Sequence, residues 1–293
     1  MGLYWEPCPG GARLLRLLGD TPCPAVPGTI EGLPVAELGP YCFADRPVRP
    51  GARRTGDDAH EITGNFVEEV TLPDTVRVLD SAAFYNCRRL RRVTLGPGVE
   101  GFGSDLFTNC RQLQTFRLRA AADAPTGLKK LLGAVSADIT VELDGAQLFY
   151  PEYSEFLDEN TPAHIFNHSI EGEGYRMRQC FTPGGAVDYA AFDASFAQAC
   201  VGESEDKLCR LALGRLVQPF GLGDDARADY ELYLTAHPEA AFRRAIDDRN
   251  EAALRLPTAD AAVYCARIGW SAGAAVLLGK AKRAKKTYDF DDL

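Results

Sequence analysis

The sequence predicts an α+β chain in three parts: a short solenoid of stacked coils over residues 1–119, an α/β junction module over 120–187, and an α-helical domain over 188–293. Three observations carry this. Between Val67 and Leu118 the chain nearly repeats itself without a gap. Val70-Thr71-Leu72-Pro73 returns as Val93-Thr94-Leu95-Gly96, Val76 as Val99, Phe84 as Phe107, Asn86-Cys87 as Asn109-Cys110 and Leu90 as Leu113, each 23 residues on. A fixed period in this range marks units that stack and share one core. After Arg119 the repeat stops, and the alternating run Ile139–Leu143 leads into the turn dipeptide Asp144-Gly145. From Asp188 onward the apolar residues fall at helical spacing.

At the start of the chain, Met1 to Pro7 lacks a basic region followed by a long apolar stretch, and Leu14-Leu15-Arg16-Leu17-Leu18 is short and interrupted. No secretory leader is expected from either. Residues 11–18 read as the first strand and cap of the solenoid. Val26 to Phe43 reads as a partial opening coil. Residues 46–64 are polar and broken by Pro47, Pro50 and Gly51, which predicts an insertion loop; its basic run, Arg46, Arg49, Arg53 and Arg54, reads as solvated or as a docking loop.

Within one repeat unit, Leu90 to Leu95 predicts a short strand. Strand side chains alternate, so Val93 and Leu95 face inward while Arg92 and Thr94 face outward. The next unit places Leu113, Phe116 and Leu118 inward and Thr115 and Arg117 outward. Pro73 and Gly96-Pro97-Gly98 end the strands, because proline cannot donate to a ladder. Val76, Leu79, Val99 and Phe102 are further core positions, and one phenylalanine per coil, Phe84 then Phe107, should stack along the axis. The asparagines serve turn backbone groups. Cys87 and Cys110 read as small buried hydrophobes; a disulfide or metal pair between stacked coils about 4.8 Å apart is the alternative.

The run Val76-Arg77-Val78-Leu79-Asp80-Ser81-Ala82-Ala83-Phe84-Tyr85-Asn86-Cys87-Arg88-Arg89-Leu90 resembles the BspA-like class of bacterial leucine-rich repeats, whose units run from a strand through Val-x-x-Ile-Gly and Ala-Phe to a turn with Cys. Val99 to Leu113 and Val26 to Phe43 are similar more loosely. The resemblance covers residues 12 to 119. It implies a right-handed leucine-rich-repeat solenoid and a binding surface, with the best-known members resembling surface adhesins.

Beyond the repeat, Leu128, Leu131, Leu132 and Val135 suit a short amphipathic helix, and Gln147 to Tyr150 can return as a hairpin partner of Ile139–Leu143. Ile165–Ile170 and Tyr175–Phe181 are further strand candidates. Helical faces follow at Tyr189, Phe192, Phe196 and Cys200; at Leu208, Leu211, Ala212 and Leu216; at Tyr230, Leu232 and Tyr233, stopped by Pro238; and over Ala240 to Leu256. Ala259 to Gly269 and Ala272 to Lys286 read as a helix pair around Trp270-Ser271. This pair resembles an ankyrin-type hairpin without its Thr-Pro-Leu-His opening, so stacking as repeats is one arrangement for this region.

Composition bounds the function. A hydrophobic content of 46% supports a core, and a net charge of −9 argues against general nucleic-acid binding. No run of eighteen apolar residues exists, so no membrane span is expected. Nine cysteines at irregular spacing fit reduced thiols, hence a cytoplasmic protein. The expected function is a non-enzymatic protein-interaction scaffold, with an unidentified protein partner and no cofactor. Its face is the outward row of the repeat strands: Glu69, Thr71, Arg92, Thr94, Thr115, Arg117 and Arg119. Stacking should pair Glu69 with Arg92. The alternatives are a cell-surface adhesin, or an enzyme or metal site around His164, His168 and Cys180. The two histidines are four apart, but no glutamate follows the first as a zinc protease requires. They otherwise read as turn or surface groups, and Cys180 as part of an apolar strand.

Ser204-Glu205-Asp206-Lys207 has Ser-x-x-Lys spacing, yet a serine before an apolar helical run reads as an N-cap. Gly10-Gly11, Gly184-Gly185 and Gly221-Leu222-Gly223 read as turns rather than phosphate loops. The adjacent pairs Asp224-Asp225, Asp247-Asp248 and Asp291-Asp292 are solubilising. Lys280, Lys282, Arg283, Lys285 and Lys286 complement a helix C-terminal dipole, with a nucleic-acid or lipid contact as the sharper alternative.

Overall fold

The computed structural model describes residues 2–57, 59–160 and 165–248, with positions 269, 271 and 275 beyond them. It forms two compact units, Met1–Ser195 and Phe196–Leu293.

The first unit opens with a hairpin of β1 (Gly2–Cys8) and β2 (Gly11–Leu18), turned at Gly10 and Gly11, both at positive φ. Short strands follow: β3 (Thr29–Ile30), β4 (Leu33–Leu38), β5 (Arg53–Thr55), β6 (Glu69–Thr71), β7 (Val78–Leu79), β8 (Arg92–Leu95), β9 (Gly101–Phe102) and β10 (Thr115–Ala121). Each repeat unit therefore carries two strands, one on each of two walls. The first wall runs β5-β1-β2-β4-β7-β9, parallel from β2 to β9. The second holds β6, β8 and β10 in parallel register, with Val70, Val93 and Phe116 side by side.

A third side is built of turns. Their backbone groups bond from coil to coil: the amides of Ala82, Phe84 and Asn86 donate to the carbonyls of Ser104, Leu106 and Thr108. Tyr41, Ala82 and Asp105 hold one left-handed position of this turn; Asn86 and Asn109, near φ 60°, hold another. The Asn109 side chain donates to Asn86 Oδ1 at 2.8 Å. Coils approach closely here. A Cβ on Gly103 would lie 2.2 Å from the Ser81 nitrogen, so the position excludes every side chain.

The aromatic column appears where the 23-residue step predicts it. Phe84 stacks on Phe107 at 5.3 Å and 14°, and Phe43 of the opening coil stacks on Phe84 at 5.2 Å and 5°. Val70, Leu72, Val76, Leu79, Val93, Leu95 and Leu118 are buried, whereas Phe102 is half-buried. Cys87 and Cys110 are free thiols, and they are not mere filler. Cys87 Sγ donates to the Phe43 carbonyl at 3.3 Å and Cys110 Sγ to the Phe84 carbonyl at 3.0 Å, tying each coil to the one before.

The ladder extends one strand past the sequence repeat. After β10 the chain forms helix α1 (Leu128–Gly133), which buries Leu128, Leu131 and Leu132, and then β11 (Ile139–Asp144), parallel to β10. β12 (Ala146–Tyr150) returns antiparallel through the Asp144-Gly145 turn and closes this sheet as β12-β11-β10-β8-β6. β13 (Ser154–Asn160) and β14 (Ile165–Glu171) make a separate two-stranded sheet.

Tyr175–Phe181, expected as a strand, is instead the short helix α2 (Gly174–Met177) and a turn, because both Met177 and Arg178 point inward, which strand alternation forbids. Arg178 clamps this region. Its guanidinium donates to the carbonyls of Val135, Pro151, Gly174 and Ala137 and lies over the rings of Tyr150 and Tyr153. Burial brings its pKa down to about 10. The unit ends with α3 (Tyr189–Ala194), capped by Asp188, whose side chain accepts from the Ala191 amide; Phe192 packs edge-on against Tyr150 at 5.3 Å.

Residues 46–64 also differ from a free loop. β5 pairs antiparallel with β1, Arg53 lies over Trp5, Arg54 lies over Tyr4, and Arg49 pairs with Glu6. Three of the four basic residues are thus used on the N-terminal hairpin, and Arg46 lies over Tyr41.

The second unit contains α4 (Phe196–Gly202), α5 (Glu205–Val217), α6 (Asp224–Ala236) and α7 (Pro238–Asp247). The single face expected over Tyr189, Phe192, Phe196 and Cys200 is split at Ser195, whose hydroxyl bonds back to the Phe192 carbonyl at 2.6 Å; Cys200 is exposed. Leu208, Leu211 and Ala212 are buried as expected. In α6 Tyr230 is buried against Phe196, but Leu232 faces solvent at 70% and Leu234 takes the inward position, since the helix period carries position 234, not 232, back onto the face of Tyr230. Pro238 begins α7 as well as ending α6. The helix pair expected over 259–286, the basic run from Lys280 to Lys286 and Asp291-Asp292 lie outside the described residues, single positions 269, 271 and 275 apart.

Candidate protein-binding face

The outward rows of the second wall follow from the in-register pairing. Glu69, Arg92 and Thr115 stand side by side, continued by Thr140; Thr71, Thr94 and Arg117 form the next row, continued by Glu142. Among the sequence-predicted face residues, Thr71 is exposed and Glu69, Arg92, Thr94, Thr115, Arg117 and Arg119 are half-buried. At the β11–β12 end the row of Thr140 is covered, with Thr140 at 4% and Phe149 at 1% exposure, while Glu142 is half-buried and Asp144 exposed at the margin. The open part of the face therefore spans β6, β8 and β10.

Its arginines are compensated, though not by the pairing the repeat suggests. Glu69 and Arg92 are register partners, yet Arg92 reaches the other way, over β10, and holds Glu142 with both terminal nitrogens at 2.7 and 3.3 Å. A two-pronged contact with a carboxylate outcompetes one across a single strand spacing. Arg117 pairs with Asp144. Arg119 donates to Asp74 Oδ1 at 2.6 and 3.0 Å and to the Leu72 carbonyl at 2.5 Å. At the rim Glu68 accepts from Arg91 at 2.7 Å and from Arg89. Exposed pairs of this kind stabilise the fold by at most about 1 kcal/mol each. They do fix the arginine heads, leaving a stripe of threonine hydroxyls flanked by ordered ion pairs.

The repeat pattern predicted the arginines but not their acceptors. Thr140 follows Thr115 by 25 residues, where the repeat steps by 23, so the period does not place Glu142 and Asp144. Alternation along Ile139–Asp144 was the usable signal, since it puts Glu142 and Asp144 on the side of Thr140.

The alternative chemistry is not assembled by the described residues. His164 lies outside them. His168 is exposed on β14, its Nε2 3.2 Å from Glu155 Oε2. Cys180 is buried after α2, its Sγ 3.6 Å from the Arg176 carbonyl. Burial pushes its thiol up, and Asp188 and Asp193 push it further, whereas a nucleophilic cysteine needs its thiol pulled down. Ser204 occupies the N-cap position of α5, and Lys207 pairs with Glu203 at 3.6 Å. Gly10, Gly11, Gly185 and Gly221 sit at positive φ in turns.

The sequence pattern of the BspA type leucine rich repeat region (6 copies) matches residues 57–124. That stretch is a BspA-type leucine-rich repeat region. Among solved structures, the chain is similar to the T. pallidum leucine rich repeat protein, at 22% identity over 41% of this chain and 53% of that one, with a TM-score of 0.31. It is also similar to a leucine rich cell surface protein from Faecalibacterium prausnitzii A2-165, at 19% identity over 48% of this chain and 41% of that one, with a TM-score of 0.29. The chain thus spans about half the length of these proteins or less. No characterised protein matches it in sequence.

Proposed function

We propose that this leucine-rich-repeat chain is a non-enzymatic binding protein whose β6–β8–β10 face holds a protein partner. The observation that carries the reading is the in-register outward row, in which Thr71, Thr94 and Arg117 stand side by side with their polar groups turned from the core. Such a surface recognises by complementary hydrogen bonds and charge rather than by enclosing a small molecule. The partner is a folded protein surface with hydrogen-bonding groups at strand spacing. The reading also takes the chain to work in a reducing, cytoplasmic compartment. The thiols of Cys87 and Cys110 are donors to the neighbouring coil, a role that oxidation removes.

The test is site-specific photo-crosslinking in the native cell. A benzophenone side chain replaces Thr94 on the face, or Thr108 on the turn side as a control. One discrete adduct from position 94, absent from 108 and lost in Arg92→Glu/Arg117→Glu, is the expected result. No adduct from position 94, or the same adduct from both positions, overturns the assignment of this face.

A further inference from the structure

One element has no place in the solenoid. Among the described residues, β13 and β14 pair only with each other, and the ribbon's side chains are exposed at Ser154 to Leu157, Asn167 to Ser169 and Glu171, with Ile170 half-buried. An isolated two-stranded ribbon is marginal in water, and each of its outer edges presents unpaired N–H and C=O groups. Phe156 is 43% exposed and Leu157 68%, on opposite faces, since neighbours in a strand alternate. Register puts Ser154, Phe156, Ser169 and Glu171 on one face and Glu155, Leu157, His168 and Ile170 on the other. A strand edge guarded only against aggregation would carry charge in place of the two exposed apolar groups. This one carries both.

The charge identifies what fits. From Pro151 to Tyr175 the sequence holds six carboxylates, Glu152, Glu155, Asp158, Glu159, Glu171 and Glu173, and neither lysine nor arginine. We infer that the β13–β14 hairpin is a docking arm that takes an extended, lysine- or arginine-rich segment of a partner protein as a third strand along β13. Main-chain bonds give the affinity in this mode, and alternate side chains give the selectivity. Apolar residues of the segment cover Phe156 and Leu157, while its cations meet Glu155 and its neighbours. A second copy of the hairpin does not suit the edge. Strands about 4.8 Å apart lie inside the screening length of about 8 Å, so two such acidic ribbons repel. Nucleic acid and anionic lipid are disfavoured by the same sign of charge.

The inference rests on a different element from the sheet face, so either can fail alone. The test uses the full chain and a fluorescent eight-residue peptide alternating lysine and valine, followed by anisotropy. Expected are saturable binding, no binding of the glutamate–valine counterpart, and loss of affinity by about tenfold or more in Glu155→Lys and in Leu157→Asp. A lysine–valine peptide N-methylated on alternate amides separates strand addition from simple charge attraction, and it should not bind. Equal binding of the methylated peptide, or affinity unchanged by both substitutions, overturns the inference. So does binding of the glutamate–valine peptide, or of a single-stranded oligonucleotide in preference to the basic peptide.

Discussion

At the scale of single residues, the repeat is held by groups whose backbone requirements are as strict as their contacts. Asn86 combines a left-handed backbone with a side-chain oxygen that accepts from Asn109. The two roles separate by mutation. Asn86→Gly keeps the backbone freedom and loses the accepted bond, at about 0.5–1 kcal/mol. Asn86→Ala loses the bond and also forces a Cβ-bearing residue without a polar side chain into the left-handed region, which costs about 1–2 kcal/mol more. Urea midpoints should therefore rank native, then Asn86→Gly, then Asn86→Ala; the reverse order of the two variants would mean that backbone conformation is not what selects asparagine. The cysteines show a parallel duality. Burial pushes the thiols of Cys42 and Cys110 up to about 12, so both are protonated at neutral pH, and Cys110 serves there as a donor. From the sequence, a cysteine in this place reads as a small apolar group, because no spacing rule reveals a bond to a carbonyl one coil away.

At the scale of elements, stability comes from stacking along the axis rather than from any one strand, since β7 and β9 are only two residues long. Phe84 is the middle member of the ring column and is fully buried between Phe43 and Phe107. Each stacked pair adds about 0.5–1.5 kcal/mol beyond area burial, and truncating a buried phenylalanine to alanine costs about 3–5 kcal/mol. Phe84→Ala should lower the unfolding free energy of the full chain by that amount, while Phe66→Ala, at a position 42% exposed, should change it little. Similar effects of the two would remove the column as the axis of the fold. This column was legible in the sequence because identical side chains recur at one step, and the β11–β12 hairpin because Asp144-Gly145 is a strong turn signal. Tyr175–Phe181 was not legible as α2: its apolar residues fit a strand until Arg178 is known to turn inward, and only the carbonyls of Val135, Ala137 and Pro151, distant in sequence, explain that. The ribbon partner β13 was missed for the opposite reason, since its exposed residues follow no core pattern.

At the scale of the whole molecule, the question is where the self-sufficient first unit ends. The sequence repeat ends at Arg119, but a chain cut there stops within β10, leaves its edge unpaired, and strips Arg92 and Arg117 of Glu142 and Asp144. It also loses α1, whose Leu128, Leu131 and Leu132 are buried in the return between β10 and β11. The structure instead groups Met1–Ser195, which includes β12 on the far edge of the sheet and α3, where the Tyr189 hydroxyl donates to the Ala122 carbonyl at 2.9 Å. A fragment of residues 1–195 should therefore fold alone, whereas one of residues 1–119 should aggregate through its open edge. Trp5 reports on this directly. It is the one tryptophan of either fragment, is 1% exposed, and has its ring nitrogen bonded to Thr55 at 3.2 Å. In the longer fragment its emission should be blue-shifted and should move red in a single transition that coincides with loss of far-UV circular dichroism. In the shorter fragment the emission should be red-shifted already, or the protein should come out of solution. If residues 1–119 instead give the blue-shifted emission and a cooperative transition, the coils are closed by their own repeat, and β11, β12 and α1 are an appendage rather than the cap argued from these contacts.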